Sequence, residues 1–240
     1  MQTSSQALVL LLVALLFAPA FVQINAAPHH TVVFGAARKA PYSPPEGAPP
    51  VTELSIRALL VDGTQKEWTT GSSHAVTDRS FVIRRVLRLN DSLPSDSAEH
   101  WIWQPGPWLL VDRISGRITA LRLPYFDPGI SDIVWFRDFA AYCGVADTAK
   151  GGLFAVVAQL GARRYLAQQQ FGKWPPPKGQ SAHLPSPVCQ PAQWQRKPNI
   201  RAAITPTGGD TLYFDIVGQA AVIIDGEIQG ESTEDADADH

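Results

Sequence analysis

Three tryptophans fall within eight positions in the stretch WIWQPGPW, residues 101–108 of this 240-residue chain. Trp101 and Trp103 stand two apart, so on an extended strand they project from one face and set two indoles side by side. Such a pair either fills the core of a β-domain or forms a platform for sugar rings or a partner's apolar groups. Exposed indole is costly until something covers it, and in a small β-domain the cover is usually the protein itself. Trp108 and Trp135 lie in apolar runs and read as core. Trp174 and Trp194 stand among prolines and are expected to pack against them.

The next residue of interest is Arg85. In SFVIRRVLRLN (80–90) a period of two places Phe81, Ile83, Leu87 and Leu89 on one face, with Arg84, Arg88 and Asn90 opposite beside Val82 and Val86. Arg85 then falls on the apolar face. A buried guanidinium needs a carboxylate or carbonyls, because an unpaired charge costs several kcal/mol. Arg85 therefore either marks a ligand site or reaches water from an edge position.

Catalytic signatures are scarce. The sequence contains no Gly-x-Ser-x-Gly elbow, no His-Glu-x-x-His, no Ser-x-x-Lys and no phosphate-binding Gly-x-x-x-x-Gly-Lys. A hydrolase triad could still assemble in space from His74, His100 or His183, each in a turn-like context, with an aspartate and a hydroxyl. Asp112, Asp127, Asp132 and Asp138 could supply paired carboxylates, although aspartate at strand ends normally serves turns. No Cys/His spacing suggests zinc. A copper chelate at an N-terminal Ala27-Pro28-His29 is blocked because Pro28 has no amide hydrogen to lose. No metal and no cofactor is expected.

Cys143 and Cys189 are the two cysteines of the chain. Residues Ala7–Val22 are apolar and uncharged, too short and Pro-interrupted for a comfortable span, and small residues follow at Ala26 and Ala27. This reads as a signal peptide over 1–26, although MQTSSQ lacks the usual Lys or Arg, so an uncleaved anchor is the alternative. Export to a periplasmic or extracellular compartment makes a Cys143–Cys189 disulfide the favoured state, with no membrane span in the mature chain. Formal net charge is −2, and the densest basic group, Arg84, Arg85 and Arg88, is too short for a nucleic-acid surface.

The elements that must carry these residues are strands. Almost no segment has a 3.6-residue period, and turn residues recur throughout. Residues 27–50 form a Pro-rich N-terminal segment, with regular structure expected from about Val51. A β-rich domain follows over 51–170, with hairpins around Asp62-Gly63 and Ser115-Gly116 and a turn at Gln104–Pro107. Residues 171–199 read as a Pro-rich loop, 200–226 as a C-terminal hairpin joining the same domain, and 227–240 as an acidic disordered tail.

Val111-Asp112, Ser115-Gly116 and the loop Asp147–Gly152 give residues 101–170 a pattern that resembles blades of a β-propeller of the WD40-like or TolB-like kind. The resemblance implies four-stranded antiparallel meanders. Ala146-Asp147-Thr148-Ala149 stands where a blade's Ser-Pro-Asp-Gly is usual, and the chain is too short for a full ring of such blades. The expected class is all-β, as antiparallel hairpins, propeller-blade-like or sandwich. The expected function is non-catalytic binding of a protein partner at the cell envelope. Carbohydrate or peptidoglycan binding through Trp101 and Trp103 is the second reading, and a secreted hydrolase with a loop-assembled His/Asp site is the third.

Overall fold

Local turn chemistry divides the chain before packing does. Asp62 and Gly63 both adopt positive φ, 52° and 74°, which is what a two-residue hairpin demands of its central pair. They join β3 (Glu53–Val61) to β4 (Thr64–Ala75). The computed structural model describes residues 29–43, 53–128, 130–146, 151–162, 164–173, 188–196, 198–217 and 220–224. The proposed signal peptide, His183, Trp174 and the acidic tail lie outside the described residues.

The protein is all-β, and its strand pairings are antiparallel. The first sheet adds β1 (Val32–Phe34), β2 (Arg38–Pro41), β5 (Ser80–Asn90), β6 (Trp101–Asp112) and β7 (Ile118–Ala120), in the order β1-β3-β4-β5-β6-β7, with β2 also on β3. It curls until its ends meet. Tyr42 bridges to Trp103 in the parallel sense, and the His30 amide donates to the Ile114 carbonyl at 3.1 Å. The curl encloses Leu59, Phe81, Ile83, Leu109 and Val111 at one end, and Ala40, Ile56, Val86 and Trp103 at the other.

Two four-stranded meanders follow. The second sheet runs β11-β10-β9-β8, from β8 (Val134–Phe136), β9 (Phe139–Ala146), β10 (Gly152–Gln159) and β11 (Tyr165–Lys173). The third runs β12-β13-β14-β15, from β12 (Gln193–Gln195), β13 (Ile200–Ile204), β14 (Leu212–Val217) and β15 (Ala220–Ile224). The second sheet is the middle layer. Ala140, Tyr142, Val156 and Ala158 face Val82 and Trp108 of the first sheet. Ala141, Cys143, Ala155 and Val157 face Ala202, Ile204, Phe214 and Ile216 of the third. Burial on both faces explains why β9 and β10 are continuously apolar instead of alternating.

Several sequence expectations need correction. Among the described residues, regular structure is present from Val32, ahead of the expected start near Val51, and β12 lies within the segment read as a Pro-rich loop. The 101–170 stretch does not form consecutive blades, because β6 and β7 belong to the curled sheet and only β8–β11 make a four-strand meander.

Gln104–Pro107 does not turn the chain. β6 runs through it, and a bulge absorbs the prolines, with Arg84 opposite Trp108 but Val86 opposite Pro105. The slip also changes which residue beyond Arg84 faces inward. Val86, not Arg85, joins the interior, while Arg84 is only 5% exposed against the middle sheet. Arg84 donates to the Asp132 carboxylate and to the Pro128 carbonyl, with Phe126 and Trp108 beside it. Burial pulls its pKa below the usual arginine value, and Asp132 opposes that shift.

Cys143 and Cys189 lie at disulfide distance between the second and third sheets, their Cα atoms 6.1 Å apart. A bond closes 46 residues, and the chain-entropy relation gives about 4 kcal/mol for it. Thiol labelling of protein purified without reductant, under denaturing, non-reducing conditions, should find no free cysteine, and reduction should lower the denaturant midpoint accordingly. Two labelled thiols would break the assignment. A Cβ on Gly144 would sit 2.5 Å from the Tyr125 carbonyl oxygen, so Gly144→Ala should cost about 1–3 kcal/mol in urea unfolding. Gly209→Ala, whose Cβ finds ordinary contacts from 3.4 Å, should stay within about 0.5 kcal/mol of wild type.

Candidate functional site

Where the first sheet closes on itself, β2 comes against the start of β6 and leaves a groove. Its volume is about 350 Å³, and its lining is Arg38, Lys39, Ala40, Pro41, Arg88, Trp101 and Trp103. Ala40 and Trp103 are buried and form the floor. Trp103 is 7% exposed and packs edge-on against Trp68 at 5.5 Å. Trp101, at the start of the same strand, is 37% exposed. The two indoles divide the roles that the sequence left open, since Trp103 is core and Trp101 is surface, and both line one groove.

The cations lie over or beside these rings. The Arg38 guanidinium carbon lies 4.3 Å from the Trp68 ring centroid and 5.8 Å from that of Trp103. The Arg88 guanidinium carbon lies 4.5 Å from Trp101, whose Nε1 donates to Glu99 at 2.9 Å. No carboxylate among the described residues pairs with Arg38 or Arg88. A guanidinium stacked on indole keeps its N–H edge open, and that edge matches the two oxygens of a carboxylate, sulfate or phosphate. Lys39 is bonded to Glu53 at 2.8 Å, which raises its pKa above the ordinary lysine value. Tyr42, which anchors β2 to Trp103, has its phenol pKa raised by burial, against the pull of the Arg84 charge.

The structure does not bring Arg85 to this groove. Its Nε donates to Glu67 on β4 at 2.9 Å, and the pair is partly exposed. Arg38, Lys39 and Arg88 are site residues that sequence reasoning missed. Arg38 and Lys39 lie in the stretch read as a Pro-rich N-terminal segment ahead of regular structure, and Arg88 in a basic group given no binding role. ARKAPY (37–42) has no clear alternation, so only the pairing of β2 with β3 reveals which of its residues share the groove.

Among the described residues, the candidate histidines form pairs with single partners, not a triad. His100 Nδ1 lies 2.5 Å from Asp91, but Ser92 Oγ donates to Asn90 and accepts the His100 backbone amide. His74 Nε2 bonds the Arg137 carbonyl at 2.8 Å. Asp112 caps the turn through the Ile114 and Ser115 amides and pairs with Arg79, and the Arg79 bond first among these holds its carboxyl well below the usual range. Asp138 accepts from Gln159, and Asp132 serves Arg84. No group of three metal-ligating side chains occurs among the described residues.

No family model matches the chain, and no curated protein or solved structure is significantly similar to it. Function therefore rests on the groove's own chemistry.

The two indoles should separate in mutagenesis. Trp103→Ala should cost about 3–5 kcal/mol in chemical denaturation, as for an emptied core position. Trp101→Ala should cost less than about 1 kcal/mol, as for a surface residue. Acrylamide should quench the Trp101 component of the fluorescence and spare that of Trp103. Equal stability losses would show that both indoles are core.

Proposed function

We propose that this is an exported, non-catalytic binding domain whose β2–β6 groove takes an acidic glycan. The observation that carries the reading is the Arg88–Trp101 pair, which sets a cation 4.5 Å from an indole that remains 37% exposed. A uronic acid unit carries a carboxylate bonded directly to a sugar ring, so one residue of such a glycan offers both the charge and the apolar face that the pair can receive. An acidic peptide offers the charge without the ring. Arg38, 4.3 Å from the Trp68 ring centroid and 5.8 Å from that of Trp103, supplies a second cation at the groove's other wall.

Export is supported by the apolar segment Ala7–Val22 with small residues after it, and by two cysteines at disulfide distance. No helix among the described residues is long and apolar enough to cross a membrane. The site is not routed to hydrolysis, because the groove lining includes neither histidine nor carboxylate.

Isothermal titration with a galacturonic acid oligomer should give saturable binding that weakens as salt is raised. Arg38→Ala and Arg88→Ala should each weaken it by about 10-fold or more, from the loss of a hydrogen bond to a charged group at ~1.5–3 kcal/mol. The neutral galactose oligomer of equal length should bind far less. Equal affinity for the two sugars would remove the anion from the argument. Tighter binding of a poly-glutamate peptide would turn the site over to a protein partner.

A further inference from the structure

We propose a second, separate anion site, at the β8–β9 turn, built by Arg137 and Arg196 over the Phe136 ring and taking one oxyanion group: carboxylate, sulfate or phosphate. It stands independently of the groove reading. The two guanidinium carbons each lie 5.4 Å from the Phe136 centroid, so they are no more than twice that distance apart. Arg137 comes from the turn and Arg196 from the residue after β12, so two separate segments bring like charges to one ring. No carboxylate among the described residues pairs with either arginine. Asp138, adjacent in the chain, is engaged by the Gln159 side chain at 2.7 Å. Like charges gathered without a counter-charge repel, and an oxyanion between them reverses the sign of that interaction.

A second observation concerns the backbone. Phe136 pairs with Phe139, so Arg137 and Asp138 make a two-residue turn, and Arg137 sits at φ 53°. Glycine or asparagine adopts that conformation readily, whereas a long side chain does so at a cost in stability. Local rules broken in this way are expected where a side chain is needed for its chemistry. The Arg137 carbonyl is fixed by His74 Nε2 at 2.8 Å, which ties the turn to the first sheet. The floor is fixed as well, since Trp194 stacks on Phe136 at 5.5 Å and its Nε1 donates to the Val134 carbonyl at 3.0 Å.

The test follows the Trp194 indole N–H in proton–nitrogen correlation spectra, assigned with Trp194→Phe. Sodium sulfate is titrated at constant ionic strength against chloride, and a sulfated hexasaccharide in a parallel arm. Wild type should show a saturable shift, with sulfate if a free ion suffices and with the hexasaccharide alone if the oxyanion belongs to a polymer. Arg196→Ala and Arg137→Gly should each weaken that binding at least tenfold, and Arg38→Ala should leave it unchanged. Arg137→Gly should melt no lower than wild type, because glycine accepts the turn, so its loss of binding cannot be a loss of fold. Absence of saturation in both arms, or binding unaltered by Arg137→Gly and Arg196→Ala, would overturn the site.

Discussion

The middle sheet is buried on both faces, and that constraint shapes the rest of the molecule. Strand β9 reads FAAYCGVA and β10 reads GLFAVVAQ, so polar atoms have to be excluded or satisfied along both. The one phenol in β9, on Tyr142, donates to the Pro124 carbonyl at 2.6 Å, and burial pushes its pKa up, so it stays protonated. Alanines at 140, 141, 155 and 158 let the first and third sheets approach closely. Gly144 goes further, because the Tyr125 carbonyl occupies the place of its missing side chain and accepts the Val145 amide at 2.8 Å. With this layer fixed, the first sheet can bury only one end of its outer face against it. Arg84 is the cost of that contact, a charge taken from water and compensated by Asp132 and a carbonyl.

The groove follows from what the first sheet does with its other end. A curled sheet can close fully or leave a gap, and at this end the β2 and β6 edges are joined by the bridge between Tyr42 and Trp103. Past that bridge the edges of β2 and β6 diverge over a floor of Ala40 and Trp103. Trp101 and Trp103 share the parity of Leu109 and Val111 along β6, and so stand on the side of the sheet that the curl encloses. Stacking then does for Arg38 and Arg88 what a carboxylate partner does elsewhere. It limits the guanidinium's motion without consuming its hydrogen-bond donors, at roughly 0.5–1 kcal/mol per exposed pair.

How much of this was legible in the sequence depends on whether the signal was local. The hairpins at Asp62-Gly63 and Ser115-Gly116, the all-β class and the pairing of Cys143 with Cys189 rest on turn chemistry, period and count, and these can be read along the chain. Trp101 and Trp103 stood out by spacing alone, and they do line one groove. Arg84 stands on the face that period-two counting gives it, with Val82, but the middle sheet covers that face, which no local pattern shows; the register shift after Arg84 then puts Val86, not Arg85, in the interior. Arg38 and Arg88 belong to strands fifty residues apart in sequence and meet only because the sheet curls. Nothing local announces a curl. Arg137 was legible in principle, as an arginine between two phenylalanines that pair, but its φ requires the register of β8 and β9 to be known.

The charge distribution bears on what kind of binder this is. The formal net charge is −2, so the molecule as a whole does not attract an anion, and at physiological salt fields fade within roughly 8 Å. Attraction therefore begins only near the stacked arginines. Their indole and phenyl supports lower the local dielectric and displace competing water, which strengthens each charge-assisted bond once it forms. Electrostatic steering would speed encounter with any anion, whereas preorganised short-range donors lengthen the life of the complex that fits. In the proposed reading, an acidic ligand is selected by shape at the ring and by oxygen geometry at the guanidinium, not by charge count. The proposed site would tolerate an overall negative protein, because its selectivity would come from contact geometry and not from the net charge.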